Sequence, residues 1–168
     1  GVQSDGTAPE GTAYLVSTSD KNRNVRARGF DRAKRMVSDD MKVQIVETDA
    51  LRDRDDVLFY FTGLARVEAL ETNRYRPGAI ADHLTSGGGR LFKSRQMDIL
   101  HWIDAGATAS YGAVVEPCAF PQKFPDPGIV MRRYLAGESL AEAYWKSVVW
   151  PGQGLFIGEP MATPYPAR

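Results

Sequence analysis

The run Val57-Leu58-Phe59-Tyr60-Phe61-Thr62, stopped by Gly63, constrains this chain more than any other feature. It is short, rich in aromatic residues that favour strands, and has no polar face. Such a strand has to be covered on both sides, which puts it inside a sheet with one layer above and another below. The flanking segments agree. "AYLVST" and "KVQIVET" read as strands before it, and "GAIADHLTS", "ATASYGAVVEP" and "LFIGEP" as strands after it. Between them lie amphipathic stretches. In "NVRARGFDRAKRMV", Phe30, Ala33 and Val37 fall at helical spacing with Arg and Lys on the other side. A short helix is expected around "ARVEALET", and a longer one over "RLFKSRQMDILHWIDAG", closed by Gly106. Asp126-Pro127 opens another helix, and Ser139 and Glu142 of "SLAEAYWKSVV" stand in capping-box spacing. Strands alternating with helices predict a three-layer α/β domain, a mostly parallel sheet of about six strands flanked by helices. Residues 1–12 read as a flexible arm, 13–160 as the α/β domain and 161–168 as an extended tail.

Composition limits the partners. Lys+Arg and Asp+Glu each number 21, so the chain lacks the basic excess that marks a nucleic-acid or anionic-membrane binder. The basic cluster in "KNRNVRARGFDRAKR" reads as a solvated helix face, with a basic docking surface as the alternative. A single cysteine, Cys118, excludes an intrachain disulfide and a multi-cysteine zinc site. No run approaches the roughly 18 apolar residues a membrane-spanning helix needs. No motif for a metal or a cofactor is present: Gly87-Gly88-Gly89 has neither the Lys-Ser/Thr of a phosphate loop nor dinucleotide spacing, and reads as a turn.

In open parallel sheets ligands sit outside the carboxyl ends of the strands. The polar residues of interest fall at those ends: Thr62-Gly63, then Asp82-His83-Leu84-Thr85-Ser86, then Glu116-Pro117-Cys118. Two readings follow. In one, Asp82, Thr85, Ser86, Thr62 and Gly63 form an edge that binds a ligand without reacting with it. In the other, Cys118 and His83 project from consecutive strand ends as nucleophile and base, with Glu116 or Asp82 orienting the imidazole. A lone cysteine is also a small hydrophobe, and a histidine beside an aspartate often only satisfies a strand end.

The segments "DVLFYFTGLARVEAL", "PGAIADHLTSGGG", "AGATASYGAVVEPC", "QKFPDPG" and "AEAYWKSVVWPGQGLFIGEP" resemble an uncharacterised bacterial family that accompanies the exosortase protein-sorting system. That resemblance implies export, hence an extracytoplasmic location, and no established activity. A wider resemblance is to the caspase–gingipain–separase fold, carried by "AGATASYGAVVEP", "AGESLAEAYWKSV" and "FIGEP". In that fold one strand ends in His-Gly and the next in the nucleophilic Cys. Here Thr62-Gly63 stands at the first position and about Leu84 at the second. The resemblance therefore implies a domain without the usual dyad, serving as a binding or assembly module for a protein or peptide partner. Two alternatives remain: a cysteine hydrolase using a relocated Cys118–His83 dyad, and a structural subunit of an oligomer or larger assembly.

Overall fold

A computed structural model describes residues 7–117 and 119–167. Six strands form one sheet: β1 (Thr12–Ser17), β2 (Lys42–Glu47), β3 (Val57–Thr62), β4 (Tyr75–His83), β5 (Ala109–Ala113) and β6 (Gly154–Gly158). Their order is β2-β1-β3-β4-β5-β6. All neighbouring pairs are parallel except β5 and β6, which run antiparallel. Four α-helices accompany them: α1 (Phe30–Val37), α2 (Leu100–Asp104), α3 (Pro127–Leu135) and α4 (Leu140–Ser147). The expected α/β architecture with a mostly parallel six-stranded sheet is the one observed.

Alternation along the strands divides the core in two. On one face Leu15, Phe59, Phe61 and Ile80 pack against Phe30 and Ala33 of α1, Val130 and Tyr134 of α3, and Leu140 and Tyr144 of α4. On the other, Tyr14, Tyr60 and Ala81 meet Met97, Ile99 and Trp102, the last from α2. All six residues of β3 are buried, as a strand without a polar face requires. The capping box of α4 is formed, and Asp126 caps α3 by accepting from the Ile129 N–H at 3.0 Å. Gly106 takes φ +110°, the left-handed conformation expected where it closes α2. The two ends of the described chain meet: Ala8 N–H donates to the Pro164 carbonyl and the Tyr165 hydroxyl to that of Pro9. Among the described residues no helix is long and apolar enough to cross a membrane.

Two expected helices are shorter than their patterns. Only Leu100–Asp104 of "RLFKSRQMDILHWIDAG" is α-helical. Upstream, polar side chains compete for the backbone: Ser94 Oγ accepts from Gln96 N–H, Asp98 accepts from Leu100 N–H, and Phe92 takes φ +60°. "ARVEALET" forms only a 3₁₀ turn, Leu70–Thr72, after Ala69 at φ +61°. The basic segment also divides: residues Asn24–Gly29 wind as 3₁₀ helix, and α1 begins at Phe30.

Candidate functional site at the carboxyl edge

The strand order reverses between β1 and β3: the chain leaves β1 for β2 on one side and reaches β3 on the other. A crevice is expected above these two strand ends. Here the chain fills it with its own backbone. Thr18 Oγ1 donates to the Gly63 carbonyl at 2.7 Å, and Thr18 N–H to Asn24 Oδ1 at 2.9 Å. The Arg23 carbonyl lies so close to Gly63 that a Cβ there would collide with it. This close approach is why glycine stands at position 63. Gly63→Ala is expected to cost about 1–3 kcal/mol, the usual scale of overpacking. Urea unfolding measures it, and a cost under about 0.5 kcal/mol would mean that residues 20–24 move aside freely.

Arg26 is the second closure. Its side chain is 5% exposed and bonds Asp82 Oδ1 at 2.5 Å, where Asp82 is fully buried. The guanidinium also donates to the carbonyls of Thr62 at 2.9 Å and Pro125 at 3.3 Å, and lies over the rings of Phe61 and Phe124. Burial raises the proton affinity of the Asp82 carboxyl, and the Arg26 charge opposes that shift. Reading the basic segment as a solvated face therefore needs correction at Arg26. A signal for it existed: residues 26, 30, 33 and 37 share one helical stripe, and Arg26 is its only charged member.

His83 points to the opposite face of β4 and is fully buried. Trp102 Nε1–H donates to its Nδ1 at 2.8 Å, which leaves the proton on Nε2, facing the Met97 carbonyl at 3.0 Å. Both ring nitrogens are thus engaged inside the core. Burial lowers the imidazole pKa to about 4, only partly offset by the Met97 bond. Cys118, the other half of the sequence-derived dyad, lies outside the described residues.

Thr85, Ser86 and Glu116 do come together. They belong to a hydrogen-bonded chain that crosses the edge from one carboxylate to another. Asp20 pairs with Arg23 Nη1 at 2.8 Å, and Arg23 Nε donates to Thr85 Oγ1 at 3.0 Å. Thr85 Oγ1 donates to Gln96 Oε1 at 2.8 Å, Gln96 Nε2 to Ser86 Oγ at 3.1 Å, and Ser86 Oγ to Glu116 Oε1 at 2.6 Å. The Gly87 N–H also donates to Gln96 Oε1, at 2.7 Å. Partial burial works against charge on Asp20, yet the bonds from Arg23 outweigh it and hold the carboxyl below its ordinary range. Thr85 and Ser86 are buried within the chain, whereas Glu116 is exposed at its end. Thr62 and Leu84 adjoin it, the Leu84 N–H donating to the Thr62 carbonyl at 2.9 Å, and both are buried. Arg23 and Gln96, which complete the chain, carry no spacing signal in the sequence.

Beside this edge lies a groove of about 440 Å³ between the 3₁₀ segment with the start of α1 and the proline-rich loop after β5. Val25, Phe124, Pro125 and Val149 give it apolar walls, and Arg28 and Arg32 line one side. Arg32 is paired with Asp126. Lys123 anchors the loop, its ammonium donating to the carbonyls of Val115 and Pro117 at 3.0 Å each. Among the described residues no three His, Asp or Glu side chains converge to hold a metal ion. No family model, curated protein or solved structure matches the chain.

Proposed function

We propose that this chain is a caspase/gingipain-like domain without the His–Cys dyad, acting in an exported bacterial protein as a module that binds a protein or peptide segment at the carboxyl edge. One observation carries the reading. The two positions that the resemblance assigns to His-Gly and Cys, Thr62-Gly63 and about Leu84, lie at the adjoining ends of β3 and β4, where the Leu84 N–H donates to the Thr62 carbonyl. Neither holds a group able to form an acyl-enzyme at neutral pH by that route: Leu84 has no nucleophile, and Thr62 Oγ1 bonds to no base, its cross-strand neighbour His83 having both nitrogens engaged by Trp102 and Met97. What the edge offers instead is the exposed Glu116 carboxylate, held at the end of a buried hydrogen-bonded chain, beside a groove with apolar walls and the exposed Arg28, a mixture able to fix an extended segment by polar bonds and seat its side chains.

The alternative hydrolase reading needs His83 as base, and both of its nitrogens are spent on Trp102 and Met97. Labelling tests this directly. Iodoacetamide at pH 7 is expected to modify Cys118 at a rate unchanged within about twofold by His83→Gln, because the thiol draws no activation from the imidazole. A tenfold loss on that substitution revives the hydrolase. Binding is tested with peptides selected on this chain from a random displayed library. Val149→Asp or Glu116→Arg, both at exposed positions, is expected to weaken the selected peptides at least tenfold. Peptides indifferent to both substitutions would place the binding face elsewhere.

A further inference from the structure

The two edges of the sheet differ. β2 ends in exposed charges, Lys42 and Glu47, a common guard against pairing with another chain. β6 has no such guard. From Ser147 to Gly158 the chain carries no charge, and β6 reads Gly154-Leu155-Phe156-Ile157-Gly158. Its ladder with β5 pairs Thr108 with Glu159 and Val114 with Gln153 through backbone bonds, so by alternation Leu155 and Ile157 face β5 with their N–H and C=O groups. Gly154, Phe156 and Gly158 turn theirs to the open edge, where no group among the described residues bonds to them.

This strand is close to a palindrome. An antiparallel pairing centred on Phe156 sets Phe156 against itself, Leu155 against Ile157, and Gly154 against Gly158. Every opposed pair matches in size and polarity, and no like charges meet. The flanks match too. Trp150 precedes β6 and Met161 follows it, 39% and 71% exposed, and a two-fold axis through Phe156 brings the first of one copy toward the second of the other. Trp145, 69% exposed, follows Tyr144 of α4, whose ring meets that of Phe156 edge-on at 5.1 Å. A five-residue strand alone is small beside the roughly 800 Å² per partner that a standard interface buries. The exposed parts of Trp145 and Trp150 add roughly 270 Å², at about 250 Å² per tryptophan side chain.

We infer that β6 is the interface for a second copy of this chain, joined two-fold and antiparallel so that two six-stranded sheets become one. The inference stands on the sheet edge alone and does not depend on what the carboxyl edge binds. Sedimentation equilibrium of the 168-residue chain is expected to give a species of twice 18.5 kDa. Two double variants identify the surface. Across the two-fold axis position 155 faces position 157, so Leu155→Lys with Ile157→Glu sets opposite charges against each other, and Leu155→Lys with Ile157→Lys sets like charges. Both load the strand equally with charge, and circular dichroism checks that each folds. The Lys/Glu chain is expected to dimerise at least tenfold more tightly than the Lys/Lys chain. A wild-type chain monomeric up to about 200 µM, or two double variants with equal self-association, overturns the inference.

Discussion

Arg26→Met alone is expected to lower unfolding free energy by about 3–5 kcal/mol, the scale for leaving one member of a buried ion pair without its partner. Three bonds are lost together: to Asp82, to the Thr62 carbonyl and to the Pro125 carbonyl. The Thr62 carbonyl keeps the Leu84 N–H, but the fully buried Asp82 is left without the guanidinium that pairs with it. Asp82→Leu alone is expected to cost a similar amount, because the guanidinium is then stranded over Phe61 and Phe124. The double variant Arg26→Met/Asp82→Leu removes both charges and is expected to be more stable than either single one by at least 2 kcal/mol, since no buried charge is left without a partner. Urea unfolding of the four chains closes the cycle. Additive single losses would mean that the two side chains act separately, contrary to the 2.5 Å contact. The pair also ties residues 20–29 over the crevice between β1 and β3, so the single variants are expected to expose this segment to proteolysis before the rest of the chain opens.

This closure explains why the fold was legible in the sequence and the site only partly. The burial of β3 follows from composition, because six residues without a polar face can only be interior. The helices α3 and α4 announce themselves through Asp126 and the Ser139–Glu142 box, local signals that the structure uses as written. The carboxyl edge depends instead on contacts between residues far apart in the chain. Arg23 reaches Thr85 across 62 residues and Arg26 reaches Asp82 across 56. No local period encodes such a meeting. Thr85, Ser86 and Glu116 were found because strand ends can be located from apolar runs, whereas Gln96 sits in a stretch whose helical pattern is overridden by its own side chain bonding back to Gly87 and Ser86. His83 shows the remaining ambiguity. One position in a strand decides between a face toward Trp102 and a face toward Arg26, and the adjacent Asp82 takes the other side.

That placement of His83 has a measurable consequence. Its pKa, lowered by burial to about 4 from 6.5, means that the unfolded chain binds a proton there between those two values while the folded chain does not. The neutral imidazole's contribution to stability is therefore fully present above pH 6.5 and is lost as pH falls toward 4, by about 3 kcal/mol in total. Arg26 and His101 oppose a charge on this ring, the Met97 carbonyl and Asp98 favour it, and burial outweighs both. The Asp82 carboxyl, raised by its own burial, contributes with the opposite sign, since its stability is lost as pH rises through its folded value. The two are separated by His83→Gln, which keeps one acceptor for Trp102 and one donor for Met97 but does not titrate. Unfolding free energies of both chains, measured from pH 7.5 to 4, are expected to run parallel above pH 6.5. Below it the wild-type chain should fall away by about 3 kcal/mol more than the variant. Curves that stay parallel throughout would show an imidazole open to water, the state a general base at neutral pH requires, and would return His83 to the candidates for chemistry.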